Sequence, residues 1–217
     1  MSQTVDNPVA RLRLLTSQCN RAYVKILYGI RRFGARGSYD IDRRRLLRAM
    51  GRGGVCAEIG VWRGDFSQQI VDRCRPTELH LVDPWLFAPH FPKRWYGGMC
   101  AQNQPDMDEI MSSVAKRFAA NPVVKLHRGK SVEIAGQFPD SYFDWVYIDG
   151  DHSYEMVLED LRVWSKKVKL GGLIGLDDYE WRNEEGRLSV RDAIETFLAG
   201  SKVRDATPIR GQFLIRL

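Results

Sequence analysis

Cysteine and histidine are both scarce in this 217-residue chain, with four of each. Cys19, Cys56, Cys74 and Cys100 show no CxxC or similar paired spacing, so a disulfide-built scaffold is excluded and a reducing, cytoplasmic setting is expected. Long apolar runs are missing too. The best, Ala22 to Ile30, is interrupted by Lys25 and falls well short of the roughly 20 residues that span a bilayer. The N-terminus has no apolar stretch of the kind a secretory signal needs. There is no internal repeat, no low-complexity tract and no GxGxxG turn. What remains is an ordinary globular balance, 44% hydrophobic, 28% charged and 11% aromatic, which excludes disorder and predicts one core.

The net charge of +6 is unevenly placed. Residues 1–54 hold twelve Lys and Arg against three Asp, a balance of +9, which leaves −3 for the remainder. We therefore divide the chain into a basic helical extension, 1–52, and a mildly acidic main domain, 53–217. In the extension, Leu12, Leu15, Tyr23, Ile26, Leu27 and Ile30 recur at near-helical spacing among arginines. Asp40 or Asp42 can cap a second, short helix carrying Leu46, Leu47 and Met50. Packing against the main domain or a second copy of the chain is the plain expectation for these helices, and contact with a membrane surface is the alternative.

From Val55 onward the pattern alternates. Apolar strands over 55–60, 79–83, 123–127, 143–149 and 173–176 are separated by helical faces such as Phe66, Ile70, Val71 and Cys74, or Val157, Leu158, Leu161 and Trp164. The tail, 203–217, reads as a β-hairpin. The expected fold is α/β: a doubly wound, Rossmann-like, seven-stranded and mostly parallel sheet with a ligand crevice at the carboxyl ends of its strands. A segment of aromatics and glycines, about 85–105, is long for a connection in such a fold and reads as a lid carrying Trp85, Phe87, Trp95 and Tyr96.

Acids and glycines gather where the crevice should be. Glu58, Gly60 and Gly64 form an ExGxxxG turn between the first strand and its helix, suited to a ligand with a carboxylate and an ammonium. Asp83 ends the second strand, where an acid can accept both hydroxyls of a ribose. Asp149 ends the fourth strand, and Asp177 and Asp178 end the fifth. If those strands are neighbours, three carboxylates converge, and at ~4 Å each pair repels by about 4 kcal/mol at an effective dielectric of ~20. Such a set either raises a pKa or holds a hard divalent cation such as Mg²⁺. His152 lies three residues beyond Asp149 and can take a proton from a hydroxyl there, and Asp151 is the other candidate base. His80, His90 and His127 lack such company and read as structural.

In order and spacing, EIGVWRG, LVDPW, NQPDMDEI, YIDGDHSY and GGLIGLDDY resemble the class I S-adenosylmethionine-dependent methyltransferases, and within them the O-methyltransferases similar to macrocin O-methyltransferase. The resemblance implies S-adenosylmethionine at Glu58, Gly60, Gly64, Asp83 and Asp149, with its adenine near Gly129, Lys130 and Ser131. It also implies a divalent ion at Asp149, Asp177 and Asp178, with His152 as base. A vicinal diol would chelate that ion, so a small-molecule hydroxyl, on a sugar or glycosylated natural product, is the expected acceptor. Methylation of RNA or protein and a non-catalytic adaptor are the rivals. The position after the fourth strand reads IDGD and lacks the Pro-Pro-Tyr element of base-amino methyltransferases, so nucleic acid is not the expected partner. Self-association is a further expectation.

Overall fold

In the computed structural model, residues 38–89, 96 and 101–217 are described. The expected helix of the far N-terminus and residues 90–95 and 97–100 of the 85–105 segment lie outside them. The elements alternate after one leading helix: α1 (Ser38–Met50), β1 (Val55–Ile59), α2 (Asp65–Cys74), β2 (Glu78–Asp83), α3 (Gln104–Phe118), β3 (Val124–Arg128), α4 (Ser131–Ala135), β4 (Phe143–Ile148), α5 (Tyr154–Lys167), β5 (Val168–Leu176), α6 (Ser189–Gly200), β6 (Asp205–Ile209) and β7 (Gln212–Arg216). The strands form one seven-stranded sheet in the order β3-β2-β1-β4-β5-β7-β6. The first five are parallel, and β6 and β7 close it as an antiparallel hairpin, as the pattern predicted.

The burial pattern explains why apolar runs rather than alternation mark these strands. Residues of β1, β2 and β4 are buried on both sides because helices cover both faces. On one face Ala57, Val146, Ile148, Ile174 and Ile215 meet Leu161, Trp164, Ile194 and Phe197 of α5 and α6. On the other, Cys56, Leu81, Trp145 and Tyr147 meet Leu46, Leu47 and Met50 of α1 and Phe66, Ile70 and Cys74 of α2. Thus α1 of the basic extension belongs to the core. β5 is longer than the sequence pattern indicates: Val168 pairs with Phe143, a register shift follows, and regular pairing resumes at Leu173. Gly171 and Gly172 make that interruption, which is why the apolar pattern begins only at Leu173.

Trp85, the first aromatic of the 85–105 segment, is fully buried, and its indole Nε1 donates to the Trp62 carbonyl at 2.8 Å, so it is a core residue joining the turns after β1 and β2. No helix among the described residues is long and apolar enough to cross a membrane.

Candidate active site

The sheet order reverses direction between β1 and β4, and at such a point the connections leave to opposite sides and open a crevice. Backbone pairing continues past the strand ends: Gly60 donates to Val82 O at 2.9 Å, Asp149 to Ile59 O at 2.7 Å and Asp177 to Ile148 O at 3.1 Å. The tips of β1, β4 and β5 therefore lie side by side, as convergence of the acids requires. Gly60 has φ 88°, and a Cβ on it would stand 2.0 Å from Asp149 O. The glycine makes room for the neighbouring strand tip, a demand that comes from the chain itself. Gly64, at φ 71°, precedes α2, where a Cβ would press on Val114 and Phe118 at 3.3 Å.

Asp83 is almost wholly buried and has more partners than the sequence reveals. Its Oδ2 accepts from the amides of Val61 at 2.9 Å and Trp62 at 2.8 Å. Its Oδ1 accepts from the Trp85 amide and the Tyr96 hydroxyl, both at 2.7 Å. In this arrangement the carboxylate fixes the glycine turn after β1. Burial raises its pKa, and those four donors oppose the rise.

Glu58 lies next to that turn, 1% exposed, and its Oε2 has no hydrogen-bond partner. Burial pushes its carboxyl up to about 8, against the lowering effects of Ser67 and Arg43. A buried carboxyl oxygen without a donor is costly, and a ligand ammonium or hydroxyl would relieve it.

The acids of β4 and β5 do meet. His152 Nε2 lies 3.4 Å from both Asp149 Oδ1 and Asp178 Oδ2, and ligand-type atoms of Asp149, His152 and Asp178 all fall within 4.8 Å of one another. The Asp178 backbone is left-handed, φ 55°, a strained conformation for a residue with a side chain and one concentrated at functional sites. Desolvation and the neighbouring carboxylates raise the pKa of Asp149 and Asp178. Burial alone would lower the pKa of His152, but Asp149 and Asp178 hold the proton and raise it to about 9. Asp177 differs from its neighbours. Its side chain is fully buried; Oδ1 accepts from the Asp178 amide at 2.8 Å and from Gln212, and Oδ2 accepts from Arg43 Nε at 3.0 Å. Asp151 is exposed and closes a tight turn just before α5, accepting from the Ser153 amide at 2.7 Å. It is therefore His152 that stands at the acids.

Gly129, Lys130 and Ser131 follow β3 on the other side of the crevice. Gly129 donates to Asp83 O at 3.2 Å, which ties this turn to the end of β2. The Ser131 hydroxyl donates to Asp160 at 2.5 Å and accepts from the Trp164 indole at 2.7 Å.

Three participants escaped the sequence reading: Arg43, Gln212 and Asp160. Arg43 had a legible signal, since it stands at i with Leu46, Leu47 and Met50 at i+3, i+4 and i+7, a charge on the buried face of its helix. Gln212, fully buried, accepts from the Tyr147 hydroxyl at 3.0 Å and donates to Asp177, and nothing in a five-residue hairpin strand announces that. Asp160 is a buried acid within the apolar face of α5, held by Ser131 and pushed by burial up to about 7.

A model of a methyltransferase domain, methyltransferase family 24, matches residues 57–179, which spans every strand tip described above. The chain belongs to this methyltransferase family. No curated protein sequence matches the methyltransferase significantly. Solved structures share its fold at low identity. A Methanococcus maripaludis protein named as an S-adenosyl-L-methionine-dependent methyltransferase is 15% identical, with a TM-score of 0.57 over 100% of this chain and 96% of that one. A Staphylococcus aureus protein named as a caffeoyl-CoA O-methyltransferase is 14% identical, with a TM-score of 0.57 over 97% and 99%. The N-methyltransferase NodS of Bradyrhizobium japonicum is 13% identical, with a TM-score of 0.51 over 83% and 96%. The methyltransferase thus has the Rossmann-like architecture of the class I S-adenosylmethionine-dependent enzymes, and that architecture carries transfer to oxygen and to nitrogen alike.

Proposed function

We propose that this methyltransferase uses S-adenosylmethionine and a divalent cation to methylate one hydroxyl of a vicinal diol on a small molecule, such as a sugar or glycosylated natural product. The observation that carries the reading is the meeting of Asp149, His152 and Asp178 at the strand tips. The two carboxylates fit a hard divalent ion such as Mg²⁺ that keeps room for water or substrate oxygens, and the imidazole stands beside them as a base. The family supports the methyl donor, and the partnerless Oε2 of Glu58 beside the glycine turn fits the donor's ammonium.

When bound, the sulfonium supplies an electrophilic methyl, and the cation stabilises a hydroxyl oxygen as it loses its proton. The residues do the rest. The turn around Gly60 and Glu58 orients the donor's amino-acid end. Asp149 and Asp178 would hold the cation, and His152, whose Nε2 is 3.4 Å from both acids, is the base placed to take the hydroxyl proton. The adenine lies near Gly129, Lys130 and Ser131, and Asp83 shapes the ribose end through the turn it fixes.

The test is methyl transfer to a panel of sugar diols and catechols, with Mg²⁺ and after EDTA. Activity on a diol is expected to vanish with EDTA and in Asp178→Asn, and to fall about 10²–10⁴-fold in His152→Ala. Transfer to the same acceptor that survives both EDTA and Asp178→Asn refutes the cation mechanism.

A further inference from the structure

One buried cation in this site has no role in the chemistry above. Arg43, from the first turns of α1, extends its guanidinium across the tips of β4 and β5. Nη2 lies 2.5 Å from Asp149 Oδ2, Nε lies 3.0 Å from Asp177 Oδ2, and Nη2 reaches that same oxygen. The side chain is 14% exposed. Its Cζ stands 4.6 Å from the centre of the Phe66 ring and 5.9 Å from that of Tyr147, so aromatic faces of α2 and β4 hold the guanidinium in place. Arg43 also lies outside the matched residues 57–179, so the group comes from the extension and not from the family's own segment.

A guanidinium and a divalent ion compete for the same oxygens. Asp149 turns Oδ1 to His152 and Oδ2 to Arg43, so an ion at either oxygen would share it with a cationic side chain and be repelled by that neighbour. Among the described residues Arg43 is placed to move away from Asp149, because it can keep Asp177 as its partner.

We propose that Arg43 is an internal competitor for the cation site: a guanidinium tethered by α1 that holds Asp149 in the ion-free chain and yields it when a divalent ion binds. This rests on the reading of Asp149 and Asp178 as ligands. It makes the basic extension a determinant of cation affinity, and by linkage the ion loosens the hold of α1 on the strand tips to the same extent that Arg43 weakens the ion.

Binding of Mn²⁺ to the full chain, followed by electron paramagnetic resonance, tests this without any turnover. Arg43→Gln and Arg43→Met are expected to bind Mn²⁺ more tightly than the wild type, within the 5- to 150-fold range usual for coupled sites. Equal or weaker binding in both overturns the competition. Because loss of Arg43 leaves Asp177 with fewer partners and can weaken the fold, amide hydrogen exchange over residues 41–50 of the wild type provides a second measure. Exchange there is expected to quicken when Mn²⁺ is added, and unchanged or slower exchange overturns the proposal. Absence of Mn²⁺ binding in the wild type and in both variants would remove the cation site itself, whereas binding that Asp178→Asn abolishes but Arg43 variants leave unchanged would spare the site and remove only the role of Arg43.

Discussion

Gly60 shows how one missing side chain shapes the site. Sequence logic gives an ExGxxxG glycine to a ligand, but in the fold its nearest claimant is the backbone of Asp149, 2.0 Å from where a Cβ would be. Backbone cannot swing aside as a long side chain can, and φ of 88° strains any other residue. Gly60→Ala should therefore cost at least about 3 kcal/mol in urea denaturation, and a loss below about 1 kcal/mol would mean that β1 and β4 can part at their tips without penalty. Asp83 carries a related lesson. An acid at the end of the second strand is easy to find, but its partners Val61, Trp62, Trp85 and Tyr96 come from two turns and a distant segment, and no spacing rule names them. The left-handed backbone of Asp178 was equally hidden, since an Asp-Asp pair after a strand fits ordinary turn chemistry.

At the scale of elements, α1 has two functions along a single face. Leu46, Leu47 and Met50 are buried against the sheet, and Arg43 continues that stripe to the acids. Contact is close at Gly175 of β5, where a Cβ would stand 3.0 Å from Leu46 Cδ2 and 3.1 Å from the Met50 sulfur. Leu46→Ala should destabilise the protein by about 2–5 kcal/mol, the usual cost of a large-to-small change in a fully buried position. The same change should slacken the Arg43 pairing, so amide exchange at Asp149 and Asp177 is expected to rise more than at β2, on the far side of β1. Equal effects on both would show that α1 is only a cover. The short apolar helix was legible from its spacing, and its docking face was not, because an arginine within the stripe has a clear reason only once β4 and β5 lie beside it.

For the whole molecule, the sum of buried titrating groups sets how stability responds to pH. Burial holds Glu58 up to about 8 from 4.5, and the surrounding acids hold His152 at about 9 from 6.5. Between pH 6.5 and 8 the folded chain thus keeps protons that the unfolded chain has released, and stability falls as pH rises. Each such proton contributes up to about 1.4 kcal/mol per pH unit. His80 and His127, lowered by burial, act in the opposite sense only below 6.5. The melting temperature of EDTA-treated protein should accordingly decline from pH 6.5 to 8, less steeply in Glu58→Gln, and a flat or rising profile would contradict the buried state of these groups.

The order of strands and helices, the antiparallel tail and the gathering of acids at strand ends are all legible along the chain. These are written in short-range terms: apolar runs for strands buried on both faces, period 3.6 for helices, and glycine or aspartate where the chain turns. Which partner each acid has depends on the folded arrangement. Strand register brings Asp149 and Asp178 to His152, while Arg43 and Gln212, far away along the chain, engage Asp177. The physical reason is that hydrogen bonds and charges act over a few ångströms of space, and the folding of the sheet sets those distances independently of separation along the chain.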